Sequence, residues 1–336
     1  MNSIILAIES SCDDTSAAVI IDGKIRANIV ATQAIHEKYG GVVPELASRA
    51  HEQNIIPVVS QALHTANITK SELNAVAFTR GPGLLGALLV GCSFAKSFAL
   101  GLGIPLIEVN HMQAHILAHF IDDPKPKFPF LCLTVSGGHT QIVLVKNYLE
   151  MQVLGQTTDD AVGEAFDKSA KLLGLPYPGG PLLDKMAQTG NPDKYSFPIV
   201  IMPGYDYSFS GIKTAILNFV NKNTQAQPNF IAENLPDICA SIQKALIQTL
   251  MKKLVSAAQE TGIKEIGIAG GVSANSGLRQ TIQDYAEKYH WNTYLPAFEY
   301  CTDNAAMIAI TAHYKYMAGR FTNQYASPDP RMKIAL

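Results

Sequence analysis

The chain has 336 residues, 47% of them hydrophobic and 16% charged, with a mean hydropathy of +0.10. This excludes a mainly disordered chain, which would be charge-rich and poor in apolar side chains; the length fits about two domains, which should bury about three quarters of the unfolded surface and need no disulfide or structural metal to fold. The 26 Lys and Arg against 28 Asp and Glu leave a net charge of −2, unlike a strongly basic nucleic-acid binder, so any nucleic-acid contact must use a local patch or a partner's charge.

In chain order, Ile4–Ile8 and Ala17–Ile21 are apolar runs that predict strands, separated by a polar turn, Ser10-Ser11-Cys12-Asp13-Asp14-Thr15. Asp22-Gly23 predicts a tight turn into a third strand, Ile25–Ala31. A helix from about Pro44 to Thr65 follows, then a strand (Ala75–Thr79), a turn (Gly81-Pro82-Gly83), a helix (Leu85–Leu100) and a strand (Leu106–Val109). Asn110 is a good N-cap for the next helix. The pattern then repeats: strands at Phe130–Val135, Gln141–Val145 and Met151–Gly155, and a helix at Ala161–Leu173. After an irregular middle come a long helix (Leu235–Thr261), a strand (Glu265–Ala269), a helix (Ser276–Tyr289), a short strand (Thr293–Leu295) and a helix (Asp303–Met317). Two halves that each open with a three-strand meander predict two related α/β lobes facing a nucleotide cleft, rather than a single Rossmann sheet. The lobes are expected at 1–125 and 126–336, the second with an inserted helical segment and its last helix packing back on the first.

Cys12, Cys92, Cys132, Cys239 and Cys301 are scattered, odd in number and form no C-x-x-C, which predicts reduced thiols in a cytoplasmic protein. The N-terminal run lacks a basic region and meets Glu9 too soon for a signal peptide. The longest uncharged apolar stretch, Gly81–Ala95, falls short of the roughly 18 residues of a membrane span, so no membrane association is expected.

Three kinds of motif carry chemistry. The first is the small-polar turn of each lobe, Glu9-Ser10-Ser11-Cys12-Asp13-Asp14-Thr15 and Val135-Ser136-Gly137-Gly138-His139-Thr140, whose backbone N–H groups can cradle phosphate oxygens. One such turn alone reads equally as an ordinary hairpin; its duplication raises the nucleotide reading. The second is glycine-rich backbone at Gly179-Gly180-Pro181 and Ala269-Gly270-Gly271-Val272-Ser273-Ala274-Asn275, the latter opening a helix whose N-terminus favours an anionic group. Asp167 and Asp184 flank the first of these and either take ribose hydroxyls or are solvated helix charges. The third is His111-Met112-Gln113-Ala114-His115, two histidines one helical turn apart on one face. They either share a metal or are surface and capping residues. Met112 stands where a zincin carries its general base, so the pair brings no hydrolytic base. His119 is about 12 Å along the helix from His111 and cannot share its ion. Asp303 sits at a strand-to-helix turn that suits a further ligand, but only the fold can bring it to the histidines.

Together, Glu9–Thr15, His36-Glu37-Lys38-Tyr39-Gly40-Gly41-Val42-Val43-Pro44-Glu45, His111–His115, Ser136–Thr140 and Asp303-Asn304-Ala305-Ala306 resemble the TsaD family, bacterial tRNA adenosine threonylcarbamoyltransferases once misnamed sialoglycoprotein endopeptidases. The resemblance covers nearly the whole chain. It implies the actin-like ATPase (sugar-kinase) fold with two ribonuclease-H-like lobes. It also implies transfer of the threonylcarbamoyl group of threonylcarbamoyl-AMP to the N6 amine of the adenosine beside the anticodon, in tRNAs reading ANN codons. Carried over, His111, His115 and Asp303 bind one divalent metal, Fe(2+) favoured and Zn(2+) the alternative. Thr134, Val135, Ser136, Gly137 and Gly138 bind the adenylate, and Asp167, Gly180, Asp184 and Asn275 hold its ribose and adenine end. Asp13, Asp14 and His139 are candidates for positioning the amine, with no catalytic residue assigned. The resemblance implies tRNA, the related protein TsaB and the ATPase TsaE as partners. A small-molecule kinase or ATPase of the same fold would leave the histidine pair unused, and a nucleotide-gated scaffold is the non-catalytic reading.

Overall fold

The computed structural model describes residues 3–33, 36 and 39–334; Glu37 and Lys38 of the quoted motif and Met1 and Asn2 of the N-terminal run lie outside the described residues. The chain divides into two compact units, Met1–Lys125 with Lys146–Met151 and Pro296–Leu336, and Pro126–Val145 with Gln152–Leu295.

In the first unit, β1 (Ile4–Glu9), β2 (Thr15–Ile21) and β3 (Lys24–Ala31) form an antiparallel meander, and β4 (Ala75–Gly81) and β5 (Leu106–Asn110) extend it in parallel, giving the order β3-β2-β1-β4-β5. Leu6, Ile8, Ala17 and Val19 pack into one core with residues of α1 (Pro44–Thr65) and α2 (Leu85–Leu102). The alternate residues Ile5, Ala7, Ala18 and Ile20 are fully buried too, and α9 (Ala305–Met317) packs on β1, β2 and β3. Both faces of the central strands are therefore covered, which is why they read as continuous apolar runs rather than alternating ones. The first unit takes in Pro296–Leu336, so α9 is a first-unit helix. By length and composition α2 could cross a membrane, being longer than the Gly81–Ala95 stretch, but here it packs on β4 and α1 and buries Ala87, Leu88, Cys92, Ala95 and Ala99.

The second unit repeats the plan. Strands β6 (Phe130–Val135), β7 (Thr140–Asn147), β8 (Glu150–Gln156), β9 (Glu265–Ala269) and β10 (Asn292–Tyr294) lie in the order β10-β9-β6-β7-β8, with β6 antiparallel to β7 and parallel to β9. Its helices are α4 (Val162–Leu172), α5 (Gly179–Ala187), α6 (Ser210–Ala226), α7 (Phe230–Thr261) and α8 (Ser276–Tyr289). The stretch read as irregular thus contains α5 and α6, and α7 starts five residues earlier than expected. α5 opens on Gly179-Gly180-Pro181, which reads as a turn, yet Pro in a first helical turn forfeits only an N–H that has no helical partner. α6 buries the stripe Ile212, Ile216 and Val220. α7 runs through Pro236. All five cysteines are free thiols, four of them buried.

Candidate metal centre and nucleotide-binding turns

His111 and His115 sit on α3 (His111–Leu117), which starts at once after β5 because Asn110 caps it: the Asn110 side-chain oxygen accepts the backbone N–H groups of Met112 and Gln113 at 2.9 and 3.0 Å. The Asn110 amide in turn donates to the carbonyls of Met332 and Lys333, which ties α3 to the C-terminal segment. Asp303 lies just before α9, whose N-terminus is fixed three ways. Asn304 accepts the N–H of Met307, Ser16 that of Ala305 and Asn28 that of Ala306. Strands β2 and β3 therefore hold Asp303 against α3, a placement that the 187 residues between His115 and Asp303 hide from sequence reading.

One Asp303 oxygen, Oδ1, is 3.3 Å from His111 Nε2 and 3.2 Å from His115 Nε2. The three donor atoms lie within 4.8 Å of one another, the one such group of histidine, cysteine and acid side chains among the described residues. The imidazoles meet edge to face with centroids 4.7 Å apart. His115 is buried, and neither of its ring nitrogens has a hydrogen bond among the described residues. A buried polar atom without a partner is costly, and a cation held by two imidazole nitrogens and a carboxylate would remove that cost at Nε2. This donor set suits Fe(2+) or Zn(2+), so the residues present fit the metal the resemblance implied. Met112 is fully buried, a packing residue rather than a displaced base. His119 lies beyond the end of α3, on the 3-10 turn Ala118–Phe120, and is not part of the group. His119→Ala is expected to lose packing but leave metal content, measured by elemental analysis, unchanged.

Glu9, at the end of β1, is completely buried, and its Oε2 lies 3.1 Å from His111 Nδ1. Ser11 Oγ is 3.1 Å from the same nitrogen. Burial alone would push the His111 pKa down; the Asp303 and Glu9 carboxylates outweigh it and hold it well above the usual value. Burial would raise Asp303 and Glu9, but His111 overrides it and both stay below the usual carboxylate range. For His115 burial wins, and its pKa is lowered. Asp14, on the first-unit turn, is pushed up to about 7 by burial and then by the charges of Asp303, Asp13 and Glu9. His51, fully buried on α1, shapes that turn through contacts with Thr15 Oγ1 at 2.7 Å and the Cys12 carbonyl at 3.0 Å. Sequence reading placed Glu9 only as the first residue of the small-polar turn, not beside His111, and did not single out His51. Glu9 stands 102 residues from His111, and no local spacing signals such a pair.

The second unit carries the other predicted residues. Thr134 and Val135 end β6, and Ser136–His139 form the turn into β7, closed by the Ser136 N–H donating to the His139 carbonyl at 2.8 Å and the His139 N–H donating to Ser136 Oγ at 3.1 Å. A Cβ on Gly137 or Gly138 would meet nothing within 4 Å. Behind the turn the packing is tight: a Cβ on Gly163 would sit 2.6 Å from the Ser136 carbonyl oxygen, and one on Gly270 2.5 Å from that of Val135. Gly270 also has φ +91, so Gly270→Ala is expected to cost about 1–3 kcal/mol of stability by crowding and to displace the turn, seen as a lower melting temperature. Asp167 Oδ1 accepts the Gly180 N–H at 2.8 Å, joining α4 to the start of α5. Burial raises the Asp167 pKa against the pull of the Gly180 and Gly179 N–H groups. Asp184 accepts from the Ser276 N–H and hydroxyl at 3.0 and 2.7 Å. Asn275 caps α8 by accepting the Leu278 N–H at 2.9 Å and donates to Gln243 Oε1 at 2.8 Å. Asp184 and Asn275 therefore both shape the N-terminus of α8. Of the amine-positioning candidates, Asp13 and Asp14 lie on the first unit's turn and His139 on the second's.

The family model for TsaD, tRNA N6-adenosine threonylcarbamoyltransferase, matches residues 24–310. This chain belongs to the TsaD family. The tRNA N6-adenosine threonylcarbamoyltransferase of Cytophaga hutchinsonii is 66% identical over 334 residues, covering 99% of this chain and 97% of the relative. That of Riemerella anatipestifer is 61% identical over 335 residues, covering 99% and 98%. Among solved structures, HypF of T. kodakarensis matches with a TM-score of 0.64 at 14% identity over 95% of this chain and 48% of that one. Component A of the Acidaminococcus fermentans (R)-2-hydroxyglutaryl-CoA dehydratase matches with a TM-score of 0.53 at 17% identity over 94% and 99%. At such identities the likeness carries the fold alone, the actin-like ATPase fold. For a TsaD-family chain the enzyme class is a transferase acting on tRNA, and the kinase and scaffold readings fall away.

Proposed function

We propose that this chain transfers the threonylcarbamoyl group of threonylcarbamoyl-AMP to the N6 amine of the adenosine beside the anticodon in tRNAs reading ANN codons, with His111, His115 and Asp303 holding one divalent metal. The observation that carries the metal-dependent reading is the convergence of three donor atoms within 4.8 Å. It supplies a cation site without a hydrolytic base, which suits acyl transfer to an amine better than attack by water. In the reaction the amine nitrogen bonds to the carbamoyl carbon, the bond from that carbon to the phosphate oxygen breaks, AMP leaves and one proton is released.

The residues divide the work. Thr134–Gly138 would hold the adenylate phosphate through backbone N–H groups, with the open faces of Gly137 and Gly138 admitting it. Asp167 and Gly180, already hydrogen-bonded to each other, would take the ribose, and Asp184 and Asn275 would shape the adenine end through the start of α8. Asp13, Asp14 and His139 are candidates for orienting the incoming amine. When bound, a divalent cation, Fe(2+) in preference to Zn(2+), supplies Lewis-acid stabilisation of the charge that develops on the departing group. A net charge of −2 supports a division of labour in which TsaB- and TsaE-type partners help engage tRNA in the cytoplasm.

The test is direct. Chain purified alone, and with TsaB- and TsaE-type proteins, is incubated with unmodified tRNA and threonylcarbamoyl-AMP, and the digested nucleosides are read by mass spectrometry. Threonylcarbamoyladenosine in the complete mixture supports the reading; unchanged adenosine there, with the adenylate hydrolysed or intact, overturns it.

A further inference from the structure

We infer that Glu9 is a positioning residue for the metal centre: its buried carboxylate fixes the orientation and tautomer of His111, so that Nε2 is the nitrogen presented to the ion. The inference rests on reading His111, His115 and Asp303 as metal ligands. Glu9 Oε1 accepts the Ser11 backbone N–H at 2.5 Å, and Oε2 accepts the Thr79 hydroxyl at 2.6 Å. These bonds lock the carboxylate from the turn that follows β1 and from β4. The remaining capacity of Oε2 is aimed at His111 Nδ1, 3.1 Å away. A carboxylate withdrawn from water is costly unless its oxygens are bonded and its charge opposed. Ser11 and Thr79 supply bonds but no charge, so the opposing charge must come through His111.

An imidazole that donates Nδ1–H to a carboxylate keeps its lone pair on Nε2. That nitrogen is the one facing Asp303. Ligating histidines commonly give their second ring N–H to a carboxylate in this way, and the bond fixes ring orientation and raises basicity. The two histidines are unequal in this respect: His115 Nδ1 has no hydrogen bond among the described residues. At Nδ1, His111 is oriented by a charged partner, whereas His115 has none among the described residues.

The full-length metal-free chain is titrated with Co(2+) alone against a competing chelator, and the visible d–d absorption is recorded. Wild type is expected to bind one equivalent. Glu9→Gln keeps the shape and removes the charge; it is expected to weaken Co(2+) binding ten- to a hundredfold and to change the d–d spectrum. Glu9→Asp restores the carboxylate one methylene short and should recover part of the affinity. Thr79→Val frees the carboxylate without touching His111 and should give a smaller loss. A merely structural Glu9 would lower the melting temperature of the metal-free protein and leave the spectrum and affinity of the folded fraction as in wild type. Folded Glu9→Gln with wild-type Co(2+) affinity and spectrum overturns the positioning role and leaves the metal site standing. Wild type that binds no Co(2+) overturns the metal reading and the positioning role with it. Should Glu9→Gln fail to fold, unchanged affinity in Thr79→Val overturns the inference.

Discussion

His115→Ala is expected to lose stoichiometric metal and threonylcarbamoyl transfer together while retaining the native fold. His115 supplies one of three donor atoms that converge within 4.8 Å, and a site reduced to one imidazole and one carboxylate has too few ligands for tight binding. The fold should survive, because α3 is held by its Asn110 cap and by Gln113 donating to the Ile334 carbonyl, neither of which involves His115. Truncating a buried ring still leaves a cavity, so a stability loss of about 2–5 kcal/mol is expected by analogy with other large-to-small core changes. Far-ultraviolet circular dichroism reports the fold, elemental analysis the metal and nucleoside mass spectrometry the activity. Full metal content in folded His115→Ala would remove His115 from the ligand set and leave its orphaned buried ring unexplained.

How much of this was legible beforehand depended on how local each signal was. The strands of both meanders were readable because their burial on two faces leaves continuous apolar runs, as in Ile4–Glu9 and Phe130–Val135. The histidine pair was readable because a helix puts residues four apart on one face. Asp303 could be tied to that pair only through the family resemblance, since the link runs through β2 and β3 gripping the start of α9. The role of Glu9 toward His111 escaped notice for the same reason: its partners Thr79 and His111 come from β4 and α3. In the second unit, α5 was hidden by an opening Gly-Gly-Pro, and α6 by a buried stripe of only three residues. Local chemistry was visible; the long-range pairings that turn it into a site were not.

The second large effect is expected at the adenylate. Gly138→Val and Asp167→Asn should each weaken binding of a stable threonylcarbamoyl-AMP analogue without changing metal content. The glycine variant is a clean probe because a Cβ at Gly138 meets no protein atom within 4 Å. Its branched side chain can therefore obstruct a ligand without displacing the turn, unlike a substitution at Gly163, where the added carbon would lie 2.6 Å from the Ser136 carbonyl oxygen. Asp167→Asn keeps the shape and an oxygen able to accept the Gly180 N–H, the bond that joins α4 to α5. It removes the charge from hydrogen bonds to ribose hydroxyls, and bonds to charged groups are worth roughly 1.5–3 kcal/mol each. The expected loss is on the order of ten- to a hundredfold, since each ~1.4 kcal/mol is tenfold in affinity. Calorimetric titration of the analogue measures both variants, and elemental analysis checks that the first unit's metal is unaffected. The pair is informative because the two changes act differently: one adds bulk where the phosphate is expected, and the other removes charge where the ribose is expected. Loss in Gly138→Val alone would keep the phosphate at the turn and move the ribose away from Asp167. Wild-type affinity in both would place the adenylate elsewhere and leave the proposed transfer without its donor site.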